Sequence, residues 1–159
     1  MPQAWRIVKA KHAATAFSGK GAADSGGRWN SRGVAVIYAS TSKSLAALEC
    51  LVHLNPPVIF TYVAIYIEFD EALVEMFPVK KAPKSWRLEP PPPSTQQIGN
   101  LWVSEARSAV MELPSVIIPS ESNFLINPAH PDFKQIIVGK PEPFVFDLRL
   151  LGRHSQRNP

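Results

Sequence analysis

What most constrains this chain is the way its apolar residues are grouped. Short runs rich in β-branched residues follow one another, and few of them are separated by a segment that reads as a helix. Ala4–Val8, Val34–Ala39, Val58–Phe69, Ala109–Leu113, Val116–Ile118, Gln135–Val138 and Phe144–Leu150 are the predicted strands. Of these, Val34–Ala39 is apolar enough to be buried on both faces of a sheet. Neighbouring parallel strands need a crossover of a dozen or more residues, usually helical, and most intervals here do not supply one. The pattern therefore predicts a single α+β domain with mixed, largely antiparallel sheets and flanking helices, and argues against a doubly wound nucleotide fold.

Two helices punctuate the strands. Thr41 or Ser42 can cap one that runs to about Leu54, where Asn55-Pro56-Pro57 stops it. Ser94, with Gln97 three residues on, has the pattern of a capping box opening a second helix. That helix carries Ile98, Leu101 and Trp102 at core spacing, and Gly99 weakens it. The Gly-, Ser- and Asn-rich stretch Ser18–Gly33 reads as a loop, and the Pro- and Lys-rich stretch Phe77–Pro93 as an extended surface connection. The domain is expected to span residues 1–151, with 152–159 a polar tail.

Composition narrows the class. With 45% apolar and 19% charged residues the chain is globular. No apolar run is long enough to cross a bilayer, since Val58–Phe69 is interrupted by Thr61 and Glu68, and the N-terminus lacks the apolar core of a secretory signal. The single cysteine, Cys50, has no partner for an internal disulfide, as in a reducing compartment, so a cytoplasmic location is expected. A net charge of +4 without a concentrated basic face predicts no direct nucleic-acid binding. His12, His53, His130 and His154 are scattered singly, so no metal site is expected. Gly19-Lys20-Gly21 completes neither a dinucleotide fingerprint nor a P-loop, and no Gly-x-Ser-x-Gly elbow occurs. Cys50, on an apolar helix, reads as a core thiol.

Four features remain that could carry chemistry. In Gly26-Gly27-Arg28-Trp29-Asn30, paired glycines allow close backbone approach and Arg28 could clamp a phosphate through two parallel hydrogen bonds, or lie exposed beside a turn. Tyr38, near the end of a buried strand, could stack a ring, or be a core tyrosine with a satisfied hydroxyl. On the first helix, Leu45, Leu48 and Val52 mark an apolar stripe, and Glu49 falls within it. A carboxylate there is costly unless it is paired in a structural salt bridge or used in chemistry. The polar stretch Pro119–Pro131, with Ser120, Asn123 and Asn127, could hold a sugar or phosphate, although turns use the same residue types.

Taken in order, Trp5-Arg6-Ile7-Val8, Gly26-Gly27-Arg28-Trp29-Asn30 with Gly33, Tyr38, Leu45-Ala46-Ala47-Leu48-Glu49 and Val116–His130 resemble the RES domain over nearly the whole chain. The resemblance implies an ADP-ribosyltransferase-like fold. It also implies the toxin of a bacterial toxin–antitoxin module, an enzyme that depletes NAD by cleaving the nicotinamide–ribose bond as a phosphorylase or a glycohydrolase. Arg28, Tyr38 and Glu49 would be catalytic, and Arg6, Ser120, Asn123 and Asn127 would bind substrate. NAD would be substrate, inorganic phosphate a possible co-substrate, and no cofactor or metal would be needed because nicotinamide leaves as a neutral molecule. An Xre-like helix-turn-helix antitoxin would be the partner, around a toxin homodimer. Two alternatives stay open: an ADP-ribosyltransferase that modifies a protein, and a non-catalytic nucleotide-binding module.

Overall fold

The computed structural model of the chain describes residues 1–54 and 60–151. Its strands form one sheet, and they are β1 (Gln3–Lys9), β2 (Ile37–Ser40), β3 (Tyr62–Glu68), β4 (Val74–Met76), β5 (Val110–Pro114), β6 (Ser122–Ile126), β7 (Ile137–Val138) and β8 (Glu142–Phe144). The order across the sheet is β4-β5-β6-β2-β1-β3-β7, with β8 also paired to β3. Every pairing is antiparallel except that of β4 with β5. The expected α+β architecture with a largely antiparallel sheet is what the chain adopts.

Alternation along the strands buries the sheet on both sides. Ile37, Ala39, Val110, Phe124 and Ile126 join one apolar cluster with Ala4, Ile67 and Phe69. Their neighbours Met111, Leu113 and Leu125 join another with Trp29, Trp86 and Trp102, against which Tyr38 packs. This explains the uninterrupted apolar character of Val34–Ala39, although only Ile37–Ser40 is strand. Val116–Ile118 is not strand, and the polar stretch after it is: Ser122–Ile126 becomes β6, placed between β5 and β2. Three of its five residues are buried, which outweighs the turn-like composition of Ser122-Asn123. Phe144–Leu150 divides into the end of β8 and a short helix, α4 (Leu148–Leu151).

The loop expected over Ser18–Gly33 contains a short helix, α1 (Lys20–Ser25), entered through Gly19 at φ +76. The next helix, α2 (Lys43–Leu51), begins as expected, with the Ser42 hydroxyl accepting from the Leu45 N–H. It ends at Leu51, and the expected stop at Asn55-Pro56-Pro57 lies outside the described residues, as do Val58, Ile59 and the tail 152–159. Its buried residues are Leu45 and Ala46, whereas Leu48 and Val52, assigned to the core stripe, are 37% and 60% exposed. The helix is rotated relative to that stripe, and Glu49 stays on the side facing the sheet, one turn beyond Leu45 and Ala46.

The capping box at Ser94 does not form. Helix α3 (Pro93–Ser104) starts a residue earlier, with Pro93 in its first turn and no side-chain cap. Proline at the first helical position leaves one N–H fewer to satisfy, and the Pro92 carbonyl accepts from the Thr95 N–H at 3.2 Å. Gly99 has a purpose other than weakening this helix: a Cβ there would lie 1.7 Å from the Trp29 carbonyl oxygen. The helix therefore rests directly on backbone, Trp102 fills the core, and Leu101 is 53% exposed. Among the described residues no helix is long and apolar enough to cross a membrane.

Candidate active site

Glu49 is held by neutral donors. Its Oε1 accepts from the Ser115 hydroxyl at 2.8 Å and from Asn123 Nδ2 at 2.6 Å. Each donor is itself fixed. Ser115, fully buried just after β5, has its oxygen engaged by the N–H groups of Ile117 and Ile118, both at 3.1 Å, which aims its single hydrogen at Glu49. The Asn123 amide is oriented by the Ser40 hydroxyl, which donates to Oδ1 at 2.7 Å. Among the described residues Glu49 has no ion-pair partner, and its Oε2 takes no hydrogen bond. The structural salt bridge that would have made this carboxylate inert is not what holds it.

Arg6 sits where two central strands part. Strand β1 pairs with β3 along its whole length but with β2 only at Trp5↔Ser40. Beyond that point the Tyr38 carbonyl accepts from Arg6 Nη1 at 2.8 Å, and Arg6 Nε donates to the Ala16 carbonyl at 3.0 Å. Burial pulls the Arg6 pKa down to about 10, so the guanidinium is still a cation at neutral pH.

A third group is the loop that carries Arg28. Gly26 takes φ +69, and the loop closes through the Gly27 N–H to the Asn30 carbonyl at 2.9 Å. Asn30 is fully buried: its Nδ2 donates to the Ala22 carbonyl at 2.9 Å and to the Val34 carbonyl at 3.1 Å. Its Oδ1 accepts from the Tyr38 hydroxyl at 2.6 Å, and that hydroxyl accepts from the Trp29 N–H at 3.0 Å. Gly27 must be glycine for this contact, since a Cβ would meet the hydroxyl at 2.7 Å. Burial raises the Tyr38 pKa well above the usual phenol value, against the lowering effects of the Trp29 N–H and the Arg28 charge. The satisfied-hydroxyl alternative for Tyr38 is thus the observed one, and the hydroxyl anchors the Arg28 loop.

Arg28 reaches across to the Pro-rich stretch. Its Nη1 donates to the carbonyls of Trp86 at 3.0 Å and Leu88, and its Nη2 meets Glu89 Oε2 at 2.6 Å. Phe77–Pro93 is consequently more than a surface connection: Trp86 is buried against Trp29, which also meets Phe77 edge-on. From α3, Gln96 Nε2 donates to the Gly27 carbonyl at 3.1 Å.

Strand β2 links the groups. Tyr38 and Ser40 project from the same side of it, one tied to the Arg28 loop and the other, through Asn123, to Glu49. Arg6 joins through the Tyr38 carbonyl. Ser120 and Asn127 are not part of this assembly. Ser120 is exposed in the turn closed by the Glu121 N–H to the Ile118 carbonyl, and buried Asn127 accepts from the Ala129 N–H at 3.0 Å, stabilising its own turn. The serine at Glu49 is Ser115, which sequence reasoning passed over: with Pro114 it falls between the predicted strands Ala109–Leu113 and Val116–Ile118. Asn30, Ser40 and Gln96 were also missed; only Asn30 carried a signal, as the last residue of the Gly-Gly-Arg-Trp-Asn run. Of two surface hollows, one lies beside Met76–Val79 and Pro119 and reaches Pro114 and Ser122, the chain neighbours of Ser115 and Asn123, and the other lies beside Lys9, Lys11 and Phe60; Glu49 itself lines neither.

The RES domain pattern matches residues 3–147, nearly the whole of this sheet and the groups it positions. The chain belongs to the RES domain family. It is 40% identical over 156 residues to the Prs ADP-ribosylating toxin of Sphingobium sp., covering 94% of this chain and 96% of that one. It is 36% identical over 148 residues to Toxin Res of Yersinia enterocolitica, covering 92% and 97% respectively. Among solved structures it resembles a chain of the Mycobacterium tuberculosis MbcT–MbcA toxin–antitoxin complex with a TM-score of 0.72. That likeness covers 89% of this chain and 83% of the other at 14% identity, and it speaks to the fold alone.

Proposed function

We propose that this chain is the toxin of a toxin–antitoxin pair and that it depletes NAD by breaking the bond between ribose C1′ and nicotinamide. The observation that carries the chemistry is the Glu49 carboxylate, oriented by Ser115 and Asn123 with no ion-pair partner among the described residues. As the C1′–N bond breaks, its electron pair leaves with neutral nicotinamide and positive charge builds on the ribose. A fixed carboxylate stabilises that charge, and its second oxygen can accept from a ribose hydroxyl. Water or inorganic phosphate then forms the new bond to C1′, and the proton of the attacking oxygen is released. Arg28 and Arg6 are the cations available to the diphosphate or to incoming phosphate. The family and the relatives named as toxins support the biological role, and a cognate antitoxin of Xre-like type would be its partner.

A second reading has its own support, because a relative at 40% identity is named for ADP-ribosylation of Prs. In that reading a protein side chain replaces water or phosphate as the acceptor, and the Glu49 chemistry is unchanged.

The test is to incubate the purified chain, freed of any antitoxin, with NAD, with and without inorganic phosphate, and to identify products by mass. Phosphate-dependent ADP-ribose-1″-phosphate identifies a phosphorylase, and phosphate-independent ADP-ribose a hydrolase. Labelled protein in place of free product identifies transfer. Release of nicotinamide under none of these conditions, from folded protein, refutes NAD cleavage. Glu49→Gln is expected to lower kcat by roughly 10²-fold or more while NAD binding stays near the wild-type value. Near wild-type turnover would make Glu49 structural.

A further inference from the structure

Arg28 is the cation assigned above to an anionic ligand, yet it already holds an anion. Both hydrogens of Nη1 go to backbone carbonyls of the 86–88 stretch, which fix the guanidinium without neutralising it. The only carboxylate that pairs with it among the described residues is Glu89, on Nη2. The two partners are unequally held: the Arg28 side chain is 13% exposed and that of Glu89 is 71% exposed. The cation is therefore built in, while the anion hangs from the surface and makes no second hydrogen bond among the described residues. Arg28 Nε makes no hydrogen bond among the described residues either, so the edge formed by Nε and Nη2, which grips a carboxylate or phosphate bidentately, is half occupied. An exposed ion pair is weak and readily exchanged.

We infer that Glu89 is an internal surrogate anion: it occupies the phosphate position on Arg28 in the empty protein and is displaced when a phosphate or diphosphate binds. The inference rests on Arg28 being the anion clamp of the proposed function. Glu89 then sets the affinity for anionic substrate by competing with it, and the Pro-rich stretch becomes part of the site's regulation. Displacement leaves the two Nη1 carbonyl contacts in place, so the guanidinium does not have to move.

The test uses the full chain freed of antitoxin, with Glu89→Gln, Arg28→Ala and the double variant. Inorganic pyrophosphate is the binding probe by calorimetry, and NAD is the substrate by nicotinamide release. Glutamine keeps the size of the side chain and removes the charge, and its exposed position makes a melting temperature near wild type the expected control. Glu89→Gln is expected to tighten pyrophosphate binding and lower KM for NAD by about three- to fivefold, the range that loss of an exposed ion pair allows. In the Arg28→Ala background the same change is expected to tighten neither. If Arg28→Ala weakens pyrophosphate and Glu89→Gln leaves it unchanged or weaker, Glu89 is a strut and the surrogate is refuted while the clamp stands. If Arg28→Ala binds pyrophosphate as tightly as wild type, the clamp itself is refuted and the surrogate falls with it.

Discussion

Tyr38 offers two separable contributions, a ring face and a hydroxyl, and the structure shows what the hydroxyl is for. It bridges the Trp29 N–H and Asn30 Oδ1 and so ties the Arg28 loop to β2. Tyr38→Phe keeps the ring and leaves those two groups unpaired. It is expected to cost about 1–3 kcal/mol in urea unfolding and to lower kcat/KM for NAD on the order of tenfold. Wild-type kcat/KM in that variant would return Tyr38 to a pure stacking role. With its pKa held above the phenol value, Tyr38 stays protonated across the neutral range and should contribute no limb to a pH–rate profile there. At this scale the sequence was most informative where a residue contradicted its surroundings. Glu49 stood out as a charge on an apolar helix, and it does face the sheet. Ser115 contradicts nothing: a serine after a strand is ordinary, and only the fold brings it to a carboxylate far away in the chain.

Elements were legible where periodicity and caps agreed. Strand β1 and the Ser42-capped start of α2 follow directly from local pattern. Strand β6 was illegible because its first residues have the chemistry of a turn, and it is a strand because β5 and β2 flank it with hydrogen-bonding edges. The Pro-rich stretch looked like a linker because proline removes ladder donors, yet Trp86 anchors it to Trp29. Helix α3 gives the clearest reversal of a propensity argument. Alanine at an exposed helical glycine normally stabilises by roughly 1 kcal/mol. Gly99→Ala should do the opposite, because its Cβ would collide with the Trp29 carbonyl. A loss of about 3 kcal/mol is expected from urea unfolding. A gain would show that α3 can lift away from the Arg28 loop.

Across the molecule, the Arg28 loop, the 77–93 stretch and α3 form one packed unit, joined by Arg28 to the Trp86 and Leu88 carbonyls, by Gln96 to Gly27, and by Trp29 among Phe77 and Trp86. Removing the Arg28 side chain should loosen that unit as a whole. Limited trypsin digestion is expected to cut at Lys84 and Arg87 several-fold faster in Arg28→Ala than in wild type; equal rates would mean that the aromatic packing alone holds the stretch.

The strand order has a consequence in time. Strand β6, carrying Asn123, enters the middle of the sheet beside β2, whose Ser40 lies more than half the chain earlier. In synthesis Glu49 emerges before the groups that aim it, Ser115 by 66 residues and Asn123 by 74. Until then the nascent chain has the carboxylate without its cradle, and the sheet has a gap at its centre. On the function proposed above, a chain assembled in this order stays inert after Glu49 is made, until β5 and β6 have joined the sheet and closed the cradle.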